Sequence, residues 1–542
     1  MGWNLATVWE SVADAVGDRV ALVQGERRRT WQEFDERSSR LAAGLQAAGL
    51  GTDSKVASYL YNGNEYLEGV FGTFKLRAVP VNVNYRYLED ELVYLLDNSD
   101  AQALLFHSSL GERVAKVRDR APKVRLWIEV DDGGERHDFA VRYEDLLAQH
   151  EPMPRIERSD DDLYFLYTGG TTGMPKGVMW RGEDLWGVLA DTTYTLVGQS
   201  KPDRPEDAGA VARALADEGR EIVHLPASPL MHGTGAFTTF QSLFVGGRIV
   251  TLAGHHFDPH ELWQVVERER VTQMAIVGDA FAKPMLRALE EAESEGKPYD
   301  ISSVQLVISS GVIWSAEVKQ ALMQRGSFLC FDSLGSSEGV GFANSISAPG
   351  AEAVTAKFSI GPHARVFTED GREVVPGSGE VGLLAVGGNI PLGYYKDDRK
   401  TAETFRTFAG QRWSVPGDFA RVESDGTIVL LGRGSVVINS GGEKIYPEEV
   451  EEAVKRHPAV EDCLVVGVPD DRFGEAVTAV VALRPGSGAT AEELGAALES
   501  LARYKRPRHY VFVPEVARAP NGKADYKWAK EAARSSTGST SG

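Results

Sequence analysis

The chain has 542 residues, of which 42% are hydrophobic and 25% charged, values typical of a globular enzyme with room for more than one domain. Its formal net charge of −20 excludes nucleic acid and anionic membrane surfaces as default partners, because like charges repel. Anionic cofactors would be repelled as well, so a site for them requires local cationic or hydrogen-bonding donors. The two cysteines, Cys330 and Cys463, are expected to be reduced thiols.

The sequence carries no recognisable export or membrane signal. The first twenty residues lack the basic region and apolar stretch of a signal peptide. The apolar run that comes closest to a membrane span, residues 236–253, is interrupted by Thr238, Thr239, Gln241 and Arg248. A cytoplasmic location is therefore expected, while peripheral contact with a membrane is left open.

Apolar runs alternate with amphipathic helices along the chain, and this alternation predicts an α/β fold. The polar stretch 199–220, with its alternating charges, is expected to form a mobile surface insertion. Residues 360–432 are predicted to be β-rich, because Gly-rich turns separate short alternating runs. The other predicted elements are, in chain order, a helix over 34–49, a strand over 56–61, a strand over 161–167, a helix over 182–197, a strand over 304–309 and a helix over 315–325.

A second unit is expected to begin near residue 437. Pro447 predicts the start of a helix, because its missing N–H costs little at the first helical position. Strands are predicted over 464–468 and 476–483. Thr490 and Glu493 form a capping box that predicts a helix over 491–504.

The most specific feature is a glycine- and threonine-rich loop that follows the predicted strand 161–167. It reads Thr168-Gly169-Gly170-Thr171-Thr172-Gly173-Met174-Pro175-Lys176-Gly177. The glycines allow the backbone N–H groups to approach a ligand closely, the hydroxyls donate hydrogen bonds, and Lys176 adds a positive charge. The spacing is not that of a Walker A loop. This composition favours a polyphosphate site over a plain polar turn.

The loop resembles the signature of the adenylate-forming superfamily, in particular its fatty acyl-CoA synthetase branch, and is similar to actinobacterial fatty-acid and steroid side-chain CoA ligases. The resemblance continues over residues 5–530. It implies an α/β fold with a large N-terminal domain over 1–433, built from α/β subdomains and a β-rich subdomain, a small mobile α+β C-terminal domain over 437–534, and a flexible tail over 535–542. It also implies that ATP, Mg²⁺ and coenzyme A are the cofactors and that the partners are small molecules.

The resemblance assigns nucleotide binding to residues in several separate motifs. Glu338 would also hold Mg²⁺, a hard cation that prefers carboxylate and phosphate oxygens. Leu334 and Pro416 depart from the usual Tyr and Thr of their motifs, which removes an aromatic surface for adenine at Leu334. The residues assigned to ATP or AMP are Thr168, Gly169, Gly170, Thr171, Thr172, Gly173, Lys176, Gly311, Asp332, Ser333, Leu334, Gly335, Ser336, Ser337, Asp418 and Arg433.

The resemblance also assigns residues to catalysis and to the acyl and coenzyme A sites. Lys523, in the motif Pro520-Asn521-Gly522-Lys523, is the implied catalytic lysine, acting with Glu338 and Lys176. Val436 stands at the family's hinge position. Fatty and steroid acids remain equal alternatives for the acyl group. The residues implied to line the acyl and coenzyme A sites are His232, Gly233, Gly311, Val312, Gly441, Gly442 and Lys444.

Three alternatives stay open at the level of sequence. A serine hydrolase is one, because Gly335-Ser336-Ser337-Glu338-Gly339 fits the pattern G-x-S-x-G with Ser337 as nucleophile. That pattern requires a helix after the serine, and Gly339-Val340-Gly341-Phe342 is a poor helix start. An adenylating enzyme that loads a carrier protein and a nucleotide-binding pseudo-enzyme are the others.

Overall fold

The structure is a computed structural model that describes residues 2–168, 174–351, 353–433, 436–440, 443–470, 474–498, 501–518 and 522–537. The chain forms two compact units. The first comprises residues 1–355, 386–406 and 412–414, and the second comprises 356–385, 407–411 and 415–542. Within the described residues, no helix combines the length and the apolar character needed to cross a bilayer.

Helices and strands alternate through most of the chain. The helices are α1 (Leu5–Val16), α2 (Trp31–Ala47), α3 (Asn64–Lys75), α4 (Glu89–Asn98), α5 (Gly111–Val117), α6 (Tyr143–Ala148), α7 (Gly182–Leu196), α8 (Ala208–Asp217), α9 (Gly233–Phe244), α10 (Pro259–Glu269), α11 (Gly278–Ser294), α12 (Ala316–Met323), α13 (Asp398–Thr404), α14 (Pro447–Lys455), α15 (Ala491–Ala496) and α16 (Tyr526–Thr537). The first strands are β1 (Val20–Gln24), β2 (Arg27–Thr30), β3 (Lys55–Tyr59), β4 (Val79–Asn82), β5 (Ala101–His107), β6 (Leu126–Val130), β7 (Val141–Arg142), β8 (Leu163–Thr168), β9 (Lys176–Arg181), β10 (Val223–Pro226), β11 (Arg248–Thr251), β12 (Gln273–Ile276), β13 (Leu306–Ser310), β14 (Leu329–Ser336) and β15 (Gly339–Ser347). The later strands are β16 (Lys357–Ile360), β17 (Ala364–Phe367), β18 (Val381–Val386), β19 (Gly393–Tyr394), β20 (Phe405–Phe408), β21 (Gln411–Ser414), β22 (Asp418–Val422), β23 (Thr427–Arg433), β24 (Ile438–Ser440), β25 (Glu443–Ile445), β26 (Val460–Asp470), β27 (Gly474–Leu483) and β28 (His509–Val513). The predicted α/β class is confirmed.

Two largely parallel sheets form the first unit. Within this unit, one sheet runs in the order β2-β1-β11-β10-β12-β13-β14-β15, and of these neighbours the pairs β1–β2 and β14–β15 are antiparallel. The other has the order β19-β9-β8-β4-β3-β5-β6-β7 and becomes antiparallel at β8. Because the carboxyl ends of parallel strands meet at one edge, each sheet gathers the loops that follow its strands.

Burial explains why the parallel strands are continuous apolar runs. Met274 and Ile276 of β12 and Val307 of β13 lie in one core with the fully buried Trp263, Met285 and Trp314. The intervening Ala275 and Ile308 are buried as well. Helix α10 begins where Asp258 accepts hydrogen bonds from the first N–H groups of the helix and Pro259 occupies the first position. Helices on both faces of a parallel sheet require such two-sided burial.

The expectation of a mobile insertion over 199–220 is wrong. Residues 208–217 form helix α8, which packs on α1 and has a buried face that includes Gly209, Ala212 and Leu215. Gly209 approaches the backbone of Ser11 so closely that a Cβ would lie 2.2 Å from its carbonyl oxygen. The surrounding charges hid this face, because alanines at helical spacing give only a weak hydrophobic signal.

The second unit contains an antiparallel part and a mixed α+β part. Strands β16, β23, β22 and β18 follow one another as antiparallel neighbours, which confirms the β-rich prediction for 360–432 in this unit. The mixed part has the strand order β25-β24-β27-β26, with β28 parallel to β27. Alternate residues of β26 face opposite sides: Cys463 and Val465 pack with α14 and α15, whereas Leu464 and Val466 pack with α16. A sheet covered on both faces explains the unbroken apolar runs.

The helix starts of this unit follow the predicted signals, but one end does not. Pro447 occupies the first turn of α14, and Thr490 and Glu493 form the predicted capping box of α15. The predicted helix 491–504 is too long, because α15 ends at Ala496, next to Gly495, a poor helix former. Residues 499–500 lie outside the described residues.

Candidate active site

The predicted phosphate loop joins two antiparallel strands. Thr168 ends β8 and lies directly opposite Lys176, the first residue of β9. Residues 169–173, and with them Gly169, Gly170, Thr171, Thr172 and Gly173, lie outside the described residues. The hairpin therefore brings the hydroxyl of Thr168 and the ammonium of Lys176 to the same end of the strand pair.

Lys176 has an acidic partner that the sequence did not reveal. Its Nζ donates a hydrogen bond to the carboxylate of Asp397, and this bond lowers the pKa of Asp397 below its usual range. Asp397 also accepts a hydrogen bond of 2.9 Å from the backbone N–H of Lys400, which fixes the start of α13. Asp397 is thus tied both to a helix start and to the phosphate-loop lysine.

Glu338 lies in the tight turn of the β14–β15 hairpin. Ser336 pairs with Gly339, so Ser337 and Glu338 form the turn. The indole N–H of Trp180 donates to the Ser337 carbonyl at 3.1 Å, and the hydroxyl of Ser414 donates to the Glu338 carbonyl at 2.6 Å. Hydrogen bonds to both carbonyls of the turn hold the half-buried Glu338 in a defined orientation.

A single short segment, residues 393–397, contacts both predicted charges. The Tyr394 hydroxyl donates to Oε1 of Glu338 at 2.7 Å, and Asp397 accepts from Lys176. The segment is itself fixed, because β19 pairs with β9 through Gly393–Met179 and Tyr394–Val178. The structure therefore brings the predicted phosphate-loop lysine and the predicted metal carboxylate to one region of the first unit.

Asn82 connects two predicted motifs. It is buried at the end of β4, where its Nδ2 donates to the carbonyls of Tyr167, 2.9 Å away, and Met231, 2.6 Å away, while its Oδ1 accepts from the N–H of Tyr167. Tyr167 precedes the phosphate loop, and Met231 precedes His232, which is the N-cap residue of α9. A lone Asn inside the apolar strand Val79–Asn82 was the available sequence signal.

The predicted acyl residues Gly233 and Gly311 lie close to apolar side chains of neighbouring elements. Gly311 has φ +94°, and a Cβ there would lie 3.7 Å from Cγ1 of Val277 and 3.9 Å from Oγ1 of Thr234. A Cβ at Gly233 would meet Leu166 of β8 at 3.5 Å. The structure therefore brings the motifs around His232 and Gly311 together through Thr234, and their acyl role stays a prediction.

One wall of this region is built from the segment Val277-Gly278-Asp279. Gly278 has φ +49°, and a Cβ there would lie 2.6 Å from the carbonyl oxygen of Val312. The Asp279 carboxylate accepts hydrogen bonds from the N–H and hydroxyl of Ser315, at 2.9 and 3.1 Å. Because a larger residue cannot replace Gly278 without displacing Val312, these contacts fix the segment that follows β13.

The residues of β14 have differing environments. Asp332 is buried and forms an ion pair of 3.2 Å with Lys319 of α12, which is also buried. Burial raises the pKa of Asp332 to about 6, against the opposing effect of Lys319. Ser333 lies opposite Ser310 of β13, and Leu334 is half-buried beside Ala343. The Asp332 side chain thus pairs inside the first unit, and its nucleotide role stays a prediction.

In the second unit the two predicted ribose-binding residues are cross-strand partners. Asp418 of β22 lies directly opposite Arg433 of β23, although the side chain of Arg433 is not described. Lys444 belongs to β25 by its backbone, and Gly441 and Gly442 lie outside the described residues. Lys523 is half-buried in the segment that leads into α16.

The hairpin geometry contradicts the serine-hydrolase alternative. A nucleophile elbow places its serine between a strand and a helix, whereas Ser337 lies between two antiparallel strands. The structure therefore confirms that no helix follows Ser337, as the poor helix start at residues 339–342 predicted.

Sequence reasoning missed three residues that hold the site together. Asn82 had a signal, but Tyr394 and Asp397 had none, because their partners lie 56 and 221 residues away in the chain. Ser414, which donates to the Glu338 carbonyl, is a fourth such residue: it lies two positions before Pro416 and was assigned no role.

Comparisons with known proteins find relatives along nearly the whole chain. A model of the AMP-binding enzyme family matches residues 9–395, and one of the AMP-binding enzyme C-terminal domain matches 449–523. A 3-oxocholest-4-en-26-oate–CoA ligase of Rhodococcus rhodochrous is 46% identical, covering 98% of this chain and 96% of its own. A medium/long-chain-fatty-acid–CoA/3-oxocholest-4-en-26-oate–CoA ligase of Mycobacterium marinum is 43% identical, covering 97% and 96%.

A solved structure shares the fold along nearly the whole chain. The anthranilate CoA ligase AuaEII in complex with anthranoyl-AMP superimposes with a TM-score of 0.83 at 20% identity, covering 99% of this chain and 98% of its own. This likeness confirms the expected large N-terminal domain and smaller C-terminal domain, while the boundaries at 433 and 437 stay predictions. Given the family model that spans residues 9–395 and relatives of 43% and 46% identity, the chain belongs to the AMP-binding enzyme family.

Proposed function

We propose that this protein is an AMP-forming acyl-CoA ligase, which activates a hydrophobic carboxylic acid with ATP as an acyl-adenylate and transfers the acyl group to coenzyme A. The observation that carries the proposal is the meeting of Lys176 and Glu338 at segment 393–397. A cation for phosphate and a carboxylate for a phosphate-bound metal are the two charges that the adenylation step requires in one place.

The residues have distinct roles in the proposed reaction. A substrate carboxylate oxygen attacks the α-phosphorus of ATP in line, the bond to the bridging oxygen breaks, and pyrophosphate leaves. Thr168 and Lys176 hold the leaving pyrophosphate, and Asp418 accepts hydrogen bonds from the ribose. Lys523 bridges the carboxylate and the α-phosphate and stabilises the charge that develops between them. Positioning and charge neutralisation supply the catalysis, because the reaction needs no covalent help from the protein.

The site fits Mg²⁺ as a cofactor that ATP brings with it. The part of the chain that the structure describes has no group of three or more His, Cys, Asp or Glu side chains able to hold a metal. Glu338 offers one oriented carboxylate, and Mg²⁺ is commonly bound by one or two carboxylates together with substrate phosphates. When bound, the ion neutralises the charge of the phosphates.

The acyl group is a fatty acid or a steroid side-chain acid. The predicted acyl residues Gly233 and Gly311 lie beside Leu166 and Val277, so apolar side chains would face the substrate tail. The named activities of the relatives cover both kinds of acid. Loading of a carrier protein remains the alternative acceptor reaction, since the same adenylate would serve it.

Exchange of labelled pyrophosphate into ATP tests the proposal directly. We expect exchange that depends on an added fatty or steroid side-chain acid and on Mg²⁺ but not on coenzyme A. Addition of coenzyme A should then yield the acyl-CoA thioester, measured by chromatography. Absence of exchange across medium-chain, long-chain and steroid acids would refute the proposal, whereas exchange without thioester formation would favour a carrier protein as acceptor.

A further inference from the structure

The segment that carries Lys523 is tied to the body of the second unit by Arg518. The guanidinium donates two hydrogen bonds to Asp462 of β26, from Nε at 2.6 Å and from Nη2 at 2.7 Å. Its remaining nitrogen, Nη1, donates to the carbonyl of Gly522 at 3.1 Å. Gly522 immediately precedes Lys523, so one guanidinium connects the strand to the backbone beside the predicted catalytic lysine.

A backbone contact also links Arg518 to the residue after Lys523. Arg518 and Ala524 form an antiparallel bridge, and Gly522 has φ +73°. Two residues after Lys523, Asp525 accepts a hydrogen bond of 2.9 Å from the N–H of Trp528 and begins α16. Lys523 therefore lies between two neighbours that are bonded to Arg518 and is followed closely by the capped start of α16.

The pair between Arg518 and Asp462 is well shielded, since each side chain is only 22% exposed. Burial alone would raise the pKa of Asp462, but the hydrogen bonds and charge of Arg518 lower it below its usual range. Asp462 also accepts a hydrogen bond of 2.8 Å from the N–H of Cys463, which orients the carboxylate on its strand. A bidentate guanidinium–carboxylate pair of this kind fixes direction as well as distance.

A second anchor lies on the other side of Lys523. Glu451 of α14 is buried, accepts a hydrogen bond of 2.9 Å from the N–H of Val465, and hydrogen-bonds to Tyr526, the first residue of α16. The charged groups that face Glu451 are Lys455 and Arg518. Both ends of the segment 518–526 are therefore held by acidic side chains of the same α+β body.

We propose that Asp462 and Arg518 are positioning residues that act through Lys523, holding its backbone where the ammonium can reach the reacting carboxylate and α-phosphate. This inference rests on the proposed function. This pair of residues, the clamp, acts through Gly522 and does not touch substrate. Loss of the pair would therefore displace Lys523 but leave the lysine chemically intact. The bidentate pair, which a plain surface turn would not need, is the feature that distinguishes positioning from simple packing.

Separate measurement of the two half-reactions tests the proposal. In Arg518→Gln and Asp462→Asn, we expect pyrophosphate exchange to fall about 10- to 100-fold, because a misplacement of about 1 Å costs up to that much. Thioester formation from ready-made acyl-adenylate should stay near the wild-type rate. In a Lys523→Ala background, Arg518→Gln should change exchange by no more than about twofold, since the two substitutions then act on one group.

Matched controls distinguish positioning from folding. Glu461, the neighbour of Asp462 on β26, forms a longer ion pair of 3.9 Å with Arg484, so Glu461→Gln should leave exchange unchanged. Thermal unfolding shows whether each variant folds. If Arg518→Gln fails to fold, Arg518→Lys tests the positioning role instead, because lysine keeps the positive charge but cannot donate the two parallel hydrogen bonds to Asp462.

The outcomes separate this inference from the proposed function. Equal losses in both half-reactions, additive losses in the Lys523→Ala background, or wild-type exchange in the clamp variants would overturn the positioning role alone. Wild-type exchange in Lys523→Ala itself would overturn both the role of Lys523 and the clamp that acts through it.

Discussion

The two regions that carry predicted charges are held in different ways. In the first unit, Lys176 and Glu338 lie at hairpin ends whose backbones are fixed by strand pairing and by hydrogen bonds from Trp180 and Ser414. In the second unit, Lys523 lies on a segment held by side chains, above all by Arg518 and Asp462. Strand pairing fixes the backbones of the first region whichever side chain changes, whereas the position of Lys523 depends mainly on side-chain contacts made by Arg518 and Glu451.

This contrast suits the roles proposed for the two regions. Phosphate and metal groups need a cradle that is complete before the nucleotide arrives, because preorganised donors need no rearrangement during the reaction. A lysine that serves one half-reaction needs only a defined position on its own unit. Substitutions should therefore affect the chemical step most in the second unit and metal or nucleotide affinity in the first.

Lys523→Ala should give the largest effect. Removal of one preorganised charge is expected to lower adenylation about 10²- to 10³-fold, while thioester formation from ready-made acyl-adenylate is retained. Pyrophosphate exchange and single-turnover thioester assays measure the two steps. Lys527→Ala, which removes an exposed lysine of α16, is the matched control. Adenylation near the wild-type rate would show that the second region lacks the proposed role.

Tyr394→Phe should come next and should act on metal affinity. The change removes the hydroxyl that donates to Glu338 Oε1, and loss of such an outer partner typically costs about 10- to 100-fold in metal affinity or activity. The Mg²⁺ concentration for half-maximal exchange should rise accordingly. In Tyr395→Phe, the lost hydroxyl bonds to Asp100 instead, so the Mg²⁺ dependence should not change. Identical Mg²⁺ dependences of exchange for Tyr394→Phe and the wild type would contradict the proposed role of Glu338 in binding the metal.

The ease of prediction also differed between local and distant interactions. Strands that end in Gly, Ser or Thr, such as β8 and β13, and the capping box at Thr490 could be predicted, because their signals lie within a few residues. The contacts of Tyr394 and Asp397 could not, since they exist only after two sheets have folded. Arg518 gave no signal for a similar reason: its partner Asp462 is 56 residues away.

The first unit also contains a buried histidine, His224, that its surroundings keep neutral. It lies fully buried in β10, with its ring nitrogens 3.1 Å from Thr238 Oγ1 and 3.2 Å from Gln273 Nε2. Burial lowers its pKa to about 3 from an ordinary value of 6.5. Because only the unfolded chain takes up the proton, the stability that His224 contributes is present above pH 6.5 and is lost as pH falls toward 3.

The expected slope is about 1.4 kcal/mol of unfolding free energy per pH unit in that window. His224→Gln removes the group that takes up a proton on unfolding. The urea unfolding midpoint of this variant should therefore shift less than that of the wild type on acidification from pH 6.5 to 5.5. Equal shifts of the two curves would mean that the histidine is protonated inside the folded protein.

Asp397→Asn should give the smallest effect and tests whether the first region is complete before ATP binds. Lys176 is 37% exposed in its pair with Asp397, and such a partly exposed pair contributes at most about 1 kcal/mol. If Asp397 competes with phosphate for Lys176, the asparagine variant should lower the KM for ATP by up to about fivefold, since it keeps the cap of α13 but not the charge. Steady-state kinetics at saturating acid measure this. A rise in KM would mean the opposite: Asp397 aims Lys176 at the phosphates, and the first region, like the second, depends on a side-chain ion pair.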